Sequence, residues 1–211
     1  MIKISNLSLR YNSSEKNILE NVFFDVLDWE VVAVVWKSWI GKTSLLYAIW
    51  NIFNKNEVVL SGNIYFWIEN PRIRIVFQNH NLLPYYNVYQ NLFICLKQIW
   101  VTKKEANRRI KDILDLVWLL EFMYYLPDEL SIWMQQRINL ARAIICEPDI
   151  LLLDEPFSSL DKNTKKGLYE LFQKIQKEKN MTCILVAHDE KEVNILANRI
   201  YDLNLKRFIN A

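Results

Sequence analysis

Residues 31–44 read VVAVVWKSWIGKTS, and few folds accommodate that string. Five apolar, mostly β-branched residues make a strand without a polar face, which suits a parallel sheet covered on both sides. The strand breaks into a loop, and Gly41-Lys42-Thr43 then opens a helical stretch from Lys42 to about Phe53. Strand, loop and helix in this order fit the phosphate-binding pattern G-x-x-x-x-G-K-[ST], with Trp36 in the first glycine's place. The chemistry needs backbone N–H groups converging on phosphates at a helix N-terminus. Trp36, Lys37, Ser38, Trp39, Ile40, Gly41 and Ser44 are the candidate loop residues. Lys42 is expected to contact the β- and γ-phosphates, and the Thr43 hydroxyl to hold Mg²⁺.

The periodicity places this segment in an alternating array. It predicts strands over 2–9, 21–27, 31–35, 58–66 and 73–77, then a long helical stretch over 87–126 interrupted at Trp100. A helix over 134–146 follows. Continuous apolar runs at 150–153 and 182–186 read as buried parallel strands, with helices over 162–178 and 189–197 between and after them. Strands alternating with helices imply an α/β fold with a parallel sheet. The segment from about 79 to 148 reads as a helical insert in that core.

Residues 150–155 read ILLLDE, so four apolar residues deliver carboxylates to the C-terminal end of a strand. Open α/β sheets bind ligands at that end. Asp154 is the candidate support for Mg²⁺ and Glu155 the candidate for polarising an attacking water.

Bulk properties exclude several classes. The formal charge is +2, from 26 basic and 24 acidic residues, which gives no electrostatic footprint for nucleic acid. Cys95, Cys146 and Cys183 are odd in number and far apart, so they support neither a zinc site nor a disulfide framework and read as reduced thiols in a core. The N-terminal residues show no apolar signal region, and no apolar run approaches the roughly 18 residues that span a bilayer. A membrane role must come through a partner. His80 reads as a loop residue rather than a catalytic one.

The composition holds one anomaly, 3 Gly against 8 Trp in 211 residues. An ordinary share of about 7% would give about 15 glycines. The tryptophans stand where glycine is expected. Trp29 lies at a turn, and Trp36 and Trp39 in the phosphate loop. Trp50, Trp100 and Trp118 lie at helix ends, Trp67 at a strand end, and Trp133 ahead of a helix. A gene translated with UGA read as tryptophan, in a cell that reads it as glycine, would produce this pattern.

Further segments fall in a fixed order around the two chemical motifs. Phe77-Gln78 is followed by Asn81-Leu82-Leu83-Pro84. Leu130-Ser131-Ile132-Trp133-Met134-Gln135-Gln136-Arg137 precedes the helical Ile138 to Ile144. Ser158-Ser159-Leu160-Asp161 follows Glu155, and Val186-Ala187-His188-Asp189 ends a buried strand. Together these segments resemble the nucleotide-binding subunit of an ATP-binding-cassette (ABC) transporter, over nearly the whole chain.

That resemblance implies an α/β fold with a P-loop NTPase core, made of a parallel sheet plus an N-terminal antiparallel β subdomain, with a helical insert subdomain, all in one domain over 1–211. It implies an ATPase that uses ATP and Mg²⁺. It assigns Gln78 to sensing metal and nucleotide near the docked permease, His188 to the γ-phosphate, and Tyr11 to stacking on adenine. Ser131, Trp133 and Asp161 belong to the segments that complete the ATP site of an opposing copy. Ile132 departs from the family's first signature glycine and could slow turnover. The implied partners are a second copy, an integral-membrane permease at the cytoplasmic face and a solute-binding protein, with no nucleic acid. Asp154-Glu155-Pro156-Phe157-Ser158 resembles solute importers. Leu82-Leu83-Pro84 and His188-Asp189 lean toward the nitrate, sulfonate and taurine type. The chain stops soon after its last apolar strand, which leaves no room for an appended regulatory domain. Two other readings stay open on the residues alone: a degenerate cassette that does not hydrolyse ATP, as literal Trp36, Trp39 and Trp133 would favour, and a soluble ABC ATPase outside transport.

Overall fold

The computed structural model describes residues 2–36, 41–54, 56–78, 82–158, 160 and 162–209. The chain opens with β1 (Ile2–Tyr11), β2 (Leu19–Val26) and β3 (Val31–Val35), then α1 (Lys42–Trp50), β4 (Val58–Phe66) and β5 (Ile73–Val76). The helices α2 (Val88–Lys97), α3 (Lys103–Leu116) and α4 (Ile132–Ile144) follow. The chain continues through β6 (Ile150–Asp154), α5 (Lys162–Glu178), β7 (Thr182–Val186), α6 (Glu190–Leu196), β8 (Arg199–Asp202) and β9 (Arg207–Ile209).

Two sheets result. One is antiparallel, in the order β2-β1-β4. The other has six strands in the order β5-β6-β7-β3-β8-β9, parallel throughout except that β9 runs antiparallel to β8. Strand alternation sorts the large sheet's side chains between two cores. Ala33, Leu151, Leu153, Cys183 and Leu185 face α2 to α5. Val32, Val34, Leu152, Ile184 and Val186 face α1 and the three-stranded sheet. Both faces are therefore covered, which is why β3, β6 and β7 are nearly all apolar. Glu30 accepts from Arg199 at 2.5 and 2.9 Å and ties the start of β3 to β8. Cys146 and Cys183 are buried and all three cysteines are free. Among the described residues, no helix is long and apolar enough to cross a membrane.

The helical expectations need correction at their ends. The stretch 87–126 is α2, α3 and a 3₁₀ turn over Leu120–Phe122, because the apolar spacing continues past Val117 while the backbone turns left-handed at Trp118 (φ 58°). α1 stops at Trp50, and the left-handed residue that closes it is Asn51, φ 57°. α4 starts at Ile132, two residues early, because the Ser131 hydroxyl accepts from Met134 N at 3.3 Å and caps it. Trp133 thus lies inside the first turn rather than ahead of the helix. β8 and β9 were not expected, being only four and three residues long.

Among the described residues, eleven non-glycine residues have positive φ, and three of them are tryptophans: Trp29 (62°), Trp100 (56°) and Trp118 (58°). Left-handed backbone costs an ordinary L-residue roughly 1–2 kcal/mol. Gly41 and Gly62 show the same demand met by glycine, with φ of 103° and 89°.

Candidate active site

The C-terminal ends of β3, β6 and β7 deliver the chemical groups to one place. β3 leads to the loop before Gly41, β6 ends at Asp154, and β7 is followed by Ala187 and His188. Gly41, at the N-terminal end of α1, turns the chain so that Lys42, Thr43 and Ser44 start the helix.

The side chains form a connected set. Thr43 Oγ1 donates to Asp154 Oδ2 at 2.8 Å. His188 Nε2 lies 2.5 Å from Glu155 Oε1. Lys42 Nζ stands 2.5 Å from His188 Nδ1 and 2.6 Å from Nε2, and 3.8 Å from Glu155 Oε1. With the imidazole proton on Nε2 facing Glu155, Nδ1 is the acceptor left for the lysine. Tyr11 OH lies 3.2 Å from Ser44 Oγ, so the end of β1 meets the first turn of α1. Gln78 borders a cleft of about 400 Å³ together with Glu155, Ser158, Lys165, His188, Asp189 and Glu192.

Burial sets the electrostatics. Desolvation pushes the Lys42 amine below its usual range, while Glu155 and Asp154 pull it back up. Desolvation likewise pushes the Asp154 carboxyl up, against the Thr43 hydroxyl and the Lys42 charge. Glu155 has a φ of 46°, rare for a non-glycine residue. Its N–H donates to Val186 O at 2.9 Å, and its carbonyl accepts from Ser158 N and Oγ at 3.2 and 2.9 Å. The backbone is therefore anchored to both neighbouring segments while the side chain points at His188.

Of the residues singled out from sequence, the structure brings Tyr11, Lys42, Thr43, Ser44, Asp154, Glu155 and His188 into contact, and Gln78 to the edge of the same cleft. Trp36 packs its ring over Gly41, where an added Cβ would lie only 2.7 Å from the indole. Ser131 caps α4 and Trp133 stands in its first turn, and the hydrogen bond of the Ser131 hydroxyl serves that helix. Lys37, Ser38, Trp39, Ile40 and Asp161 lie outside the described residues, as do His80, Asn81 and Ser159.

Sequence reasoning missed Glu192. It is buried in α6, with Oε2 accepting from Tyr169 OH at 3.1 Å and Lys165 Nζ 3.9 Å away on α5. Desolvation raises its carboxyl from 4.5 to about 7, against the Tyr169 hydrogen bond and the Lys165 charge. The folded chain thus holds a proton that the unfolded chain releases, and stability falls as pH rises from about 4.5 through 7. Glu192→Gln keeps the acceptor for Tyr169 and never charges. The variant should melt above the parent at alkaline pH and flatten the fall in melting temperature across that window. An unchanged slope would place the titrating group elsewhere.

Residues 19–158 match the model of the family described as ABC transporter. The chain is 32% identical over 206 residues to the nitrate transport protein NasD of Klebsiella oxytoca, covering 95% of this chain and 79% of that protein. It is 31% identical over 212 residues to the spermidine/putrescine import ATP-binding protein PotA of Borreliella afzelii, covering 97% of this chain and 60% of that longer one. Among solved structures, the fold matches the dimeric bacterial ABC transporter cassette MJ0796 with a TM-score of 0.79 at 26% identity, covering 96% and 94% of the two chains. The same cassette is also known in a post-hydrolysis state bound to ADP and Pi.

Proposed function

The chain belongs to the ABC transporter family, as an importer-type ATP-binding and ATP-hydrolysing subunit that powers transport, and on that premise we propose how its residues divide the work. The observation that carries the proposal is the contact set Lys42–His188–Glu155 beside Thr43–Asp154, all at the ligand-binding end of a parallel sheet. Lys42 turns from His188 to the β- and γ-phosphates when nucleotide enters. Glu155 accepts a proton from the attacking water and orients it in line with the γ-phosphate. His188 turns its Nε2–H from Glu155 to a γ-phosphate oxygen. Tyr11 stacks on adenine, and Gln78 reports metal and nucleotide occupancy across the cleft. The helices between β5 and β6 act as a helical subdomain.

Thr43 Oγ1 and Asp154 Oδ2 are hard oxygen donors on adjacent elements. They fit Mg²⁺, which is usually held by one or two carboxylates, waters and substrate phosphates. When bound, Mg²⁺ neutralises charge that develops on the phosphate oxygens.

Two copies pack head to tail, so that Ser131, Trp133 and Asp161 of one reach the nucleotide of the other. The pair docks on a membrane permease at the cytoplasmic face, with a solute-binding protein delivering cargo. The relatives' names lean toward small charged solutes, nitrate in one and polyamines in another.

The test is phosphate release with and without divalent cation, alongside copurification from membranes. EDTA should reduce release to background. Asp154→Asn should raise the Mg²⁺ concentration needed by roughly 10–100-fold, the range for side chains that orient metal ligands. Release that persists in EDTA would remove the Mg²⁺ assignment. Recovery of the native chain without a multi-span membrane protein would redirect the proposal to an ABC ATPase outside transport.

A further inference from the structure

We propose that the working protein carries glycine at positions 29, 36, 39, 50, 67, 100, 118 and 133, encoded by UGA triplets that the source cell reads as glycine. These positions hold every tryptophan in the chain, so a single codon reassignment explains them together. It also brings the three remaining glycines back toward an ordinary share of the composition.

The backbone carries the argument beyond composition. Trp29, Trp100 and Trp118 have positive φ, whereas none of the ten phenylalanines and ten tyrosines does. A bulky residue at positive φ is an outlier, and glycine adopts it without steric cost. Trp118 closes α3 as glycine closes helices. Its N–H donates to Asp115 O at 2.9 Å and that of Leu119 to Leu114 O at 2.8 Å, the paired bonds of a Schellman end. The equivalent left-handed residues after α1 and α5 are Asn51 and Asn180, the other residue type that tolerates this backbone. Trp29 sits third in the turn Leu27–Glu30, where positive φ calls for glycine. Thr182 Oγ1 accepts from its N–H at 3.0 Å and Gln176 donates to its carbonyl at 2.8 Å. The fold thus grips the main chain at 29 and leaves the indole 64% exposed.

The rings are poorly used elsewhere too. Trp100 is 93% exposed, Trp118 59% and Trp67 55%. Indole is a large apolar group that proteins normally put to work in cores and interfaces. Some rings do make contacts. Trp36 and Trp50 pack against a core cluster, and the Arg137 guanidinium lies 4.6 Å from the Trp118 ring and 3.4 Å from the Trp133 ring. Arg137 also donates to Val117 O at 3.0 Å, a bond that needs neither ring. The Trp36 contact counts against a literal indole, because it places the ring over Gly41 at the start of the helix that must receive phosphate. With glycine at 36 and 39, the loop reads G-K-S-G-I-G-K-T and regains the opening glycine of the phosphate-binding pattern. That consequence rests on the nucleotide reading, whereas the identity of the eight residues does not.

The experiment reads the eight codons and the peptide masses of the protein purified from its source cells, not from a host that decodes UGA differently. The expected result is UGA at all eight positions and peptides lighter by one indole side chain at each. The native protein, left with only phenylalanine and tyrosine, should show no tryptophan emission. A UGG codon at any of these positions, or a tryptophan-bearing peptide from the native protein, overturns the proposal. Peptide masses do not depend on whether the chain hydrolyses ATP, so a failure here is distinct from a failure of the ATPase assignment.

Discussion

Glu155→Gln should stop turnover while leaving nucleotide bound. The amide keeps the shape of the side chain and its contact with His188, and removes the charge that draws a proton from water. General-base contributions are typically ~10²–10⁴-fold in rate, so phosphate release should fall by that range. Affinity should change little, because the proposed phosphate contacts are those of Lys42 and the loop, which the substitution leaves in place. With ATP and Mg²⁺ present, the head-to-tail dimer should then accumulate, since hydrolysis is its exit. Sizing chromatography alongside phosphate release checks both halves, in the chain carrying glycine at 36, 39 and 133. Parental turnover by the variant would take Glu155 out of the chemistry and leave its 46° backbone and its contact with His188 as structural features only.

Much of this site was legible before any coordinates because the residues that make it follow strands with no polar face. VVAVV, ILLL and CILV are buried from both sides, so their ends are sharply marked, and Lys42, Asp154, Glu155 and His188 come just after those ends. What escaped was local or interleaved. β8 is RIYD and β9 is RFI, too short and too mixed to show a period. The end of α3 was legible only through the tryptophan anomaly, which put Trp118 at a helix end; the apolar residues keep helical spacing past Val117, and a literal tryptophan carries no stop signal. Glycine at 118 would have marked it. Glu192 lies among Glu190, Lys191 and other polar residues, and nothing in that string separates a buried carboxyl from its exposed neighbours. Its burial depends on Tyr169 and Lys165, more than twenty positions away on another helix.

The same contacts predict a second large effect, of a different kind, at Lys42. Only 3% of this residue is exposed, and its amine faces His188 and Glu155 with Asp154 close behind. Lys42→Met keeps the stem and the helix propensity and removes the charge. Losing one partner of a buried charge-assisted contact typically costs about 2–5 kcal/mol in binding, so the Kd for ATP should rise by roughly 30-fold or more. Without nucleotide, Asp154 would stay buried beside Glu155 without the Lys42 charge that holds its carboxyl down, and its proton affinity should rise. The variant should therefore lose stability relative to the parent at pH values below the depressed Lys42 range, where the parent amine carries its charge, and recover part of it as the pH falls further and Asp154 takes up a proton. Two measurements follow: titration with a fluorescent ATP analogue, and melting temperature against pH. An unchanged Kd would dismiss Lys42 as the phosphate ligand. A stability difference independent of pH would mean that the amine does not hold the two carboxylates together. Glu155→Gln separates from Lys42→Met on the first axis alone, because one blocks the reaction after binding and the other blocks binding. A chain in which both substitutions gave the same phenotype would not divide its work between these residues as proposed.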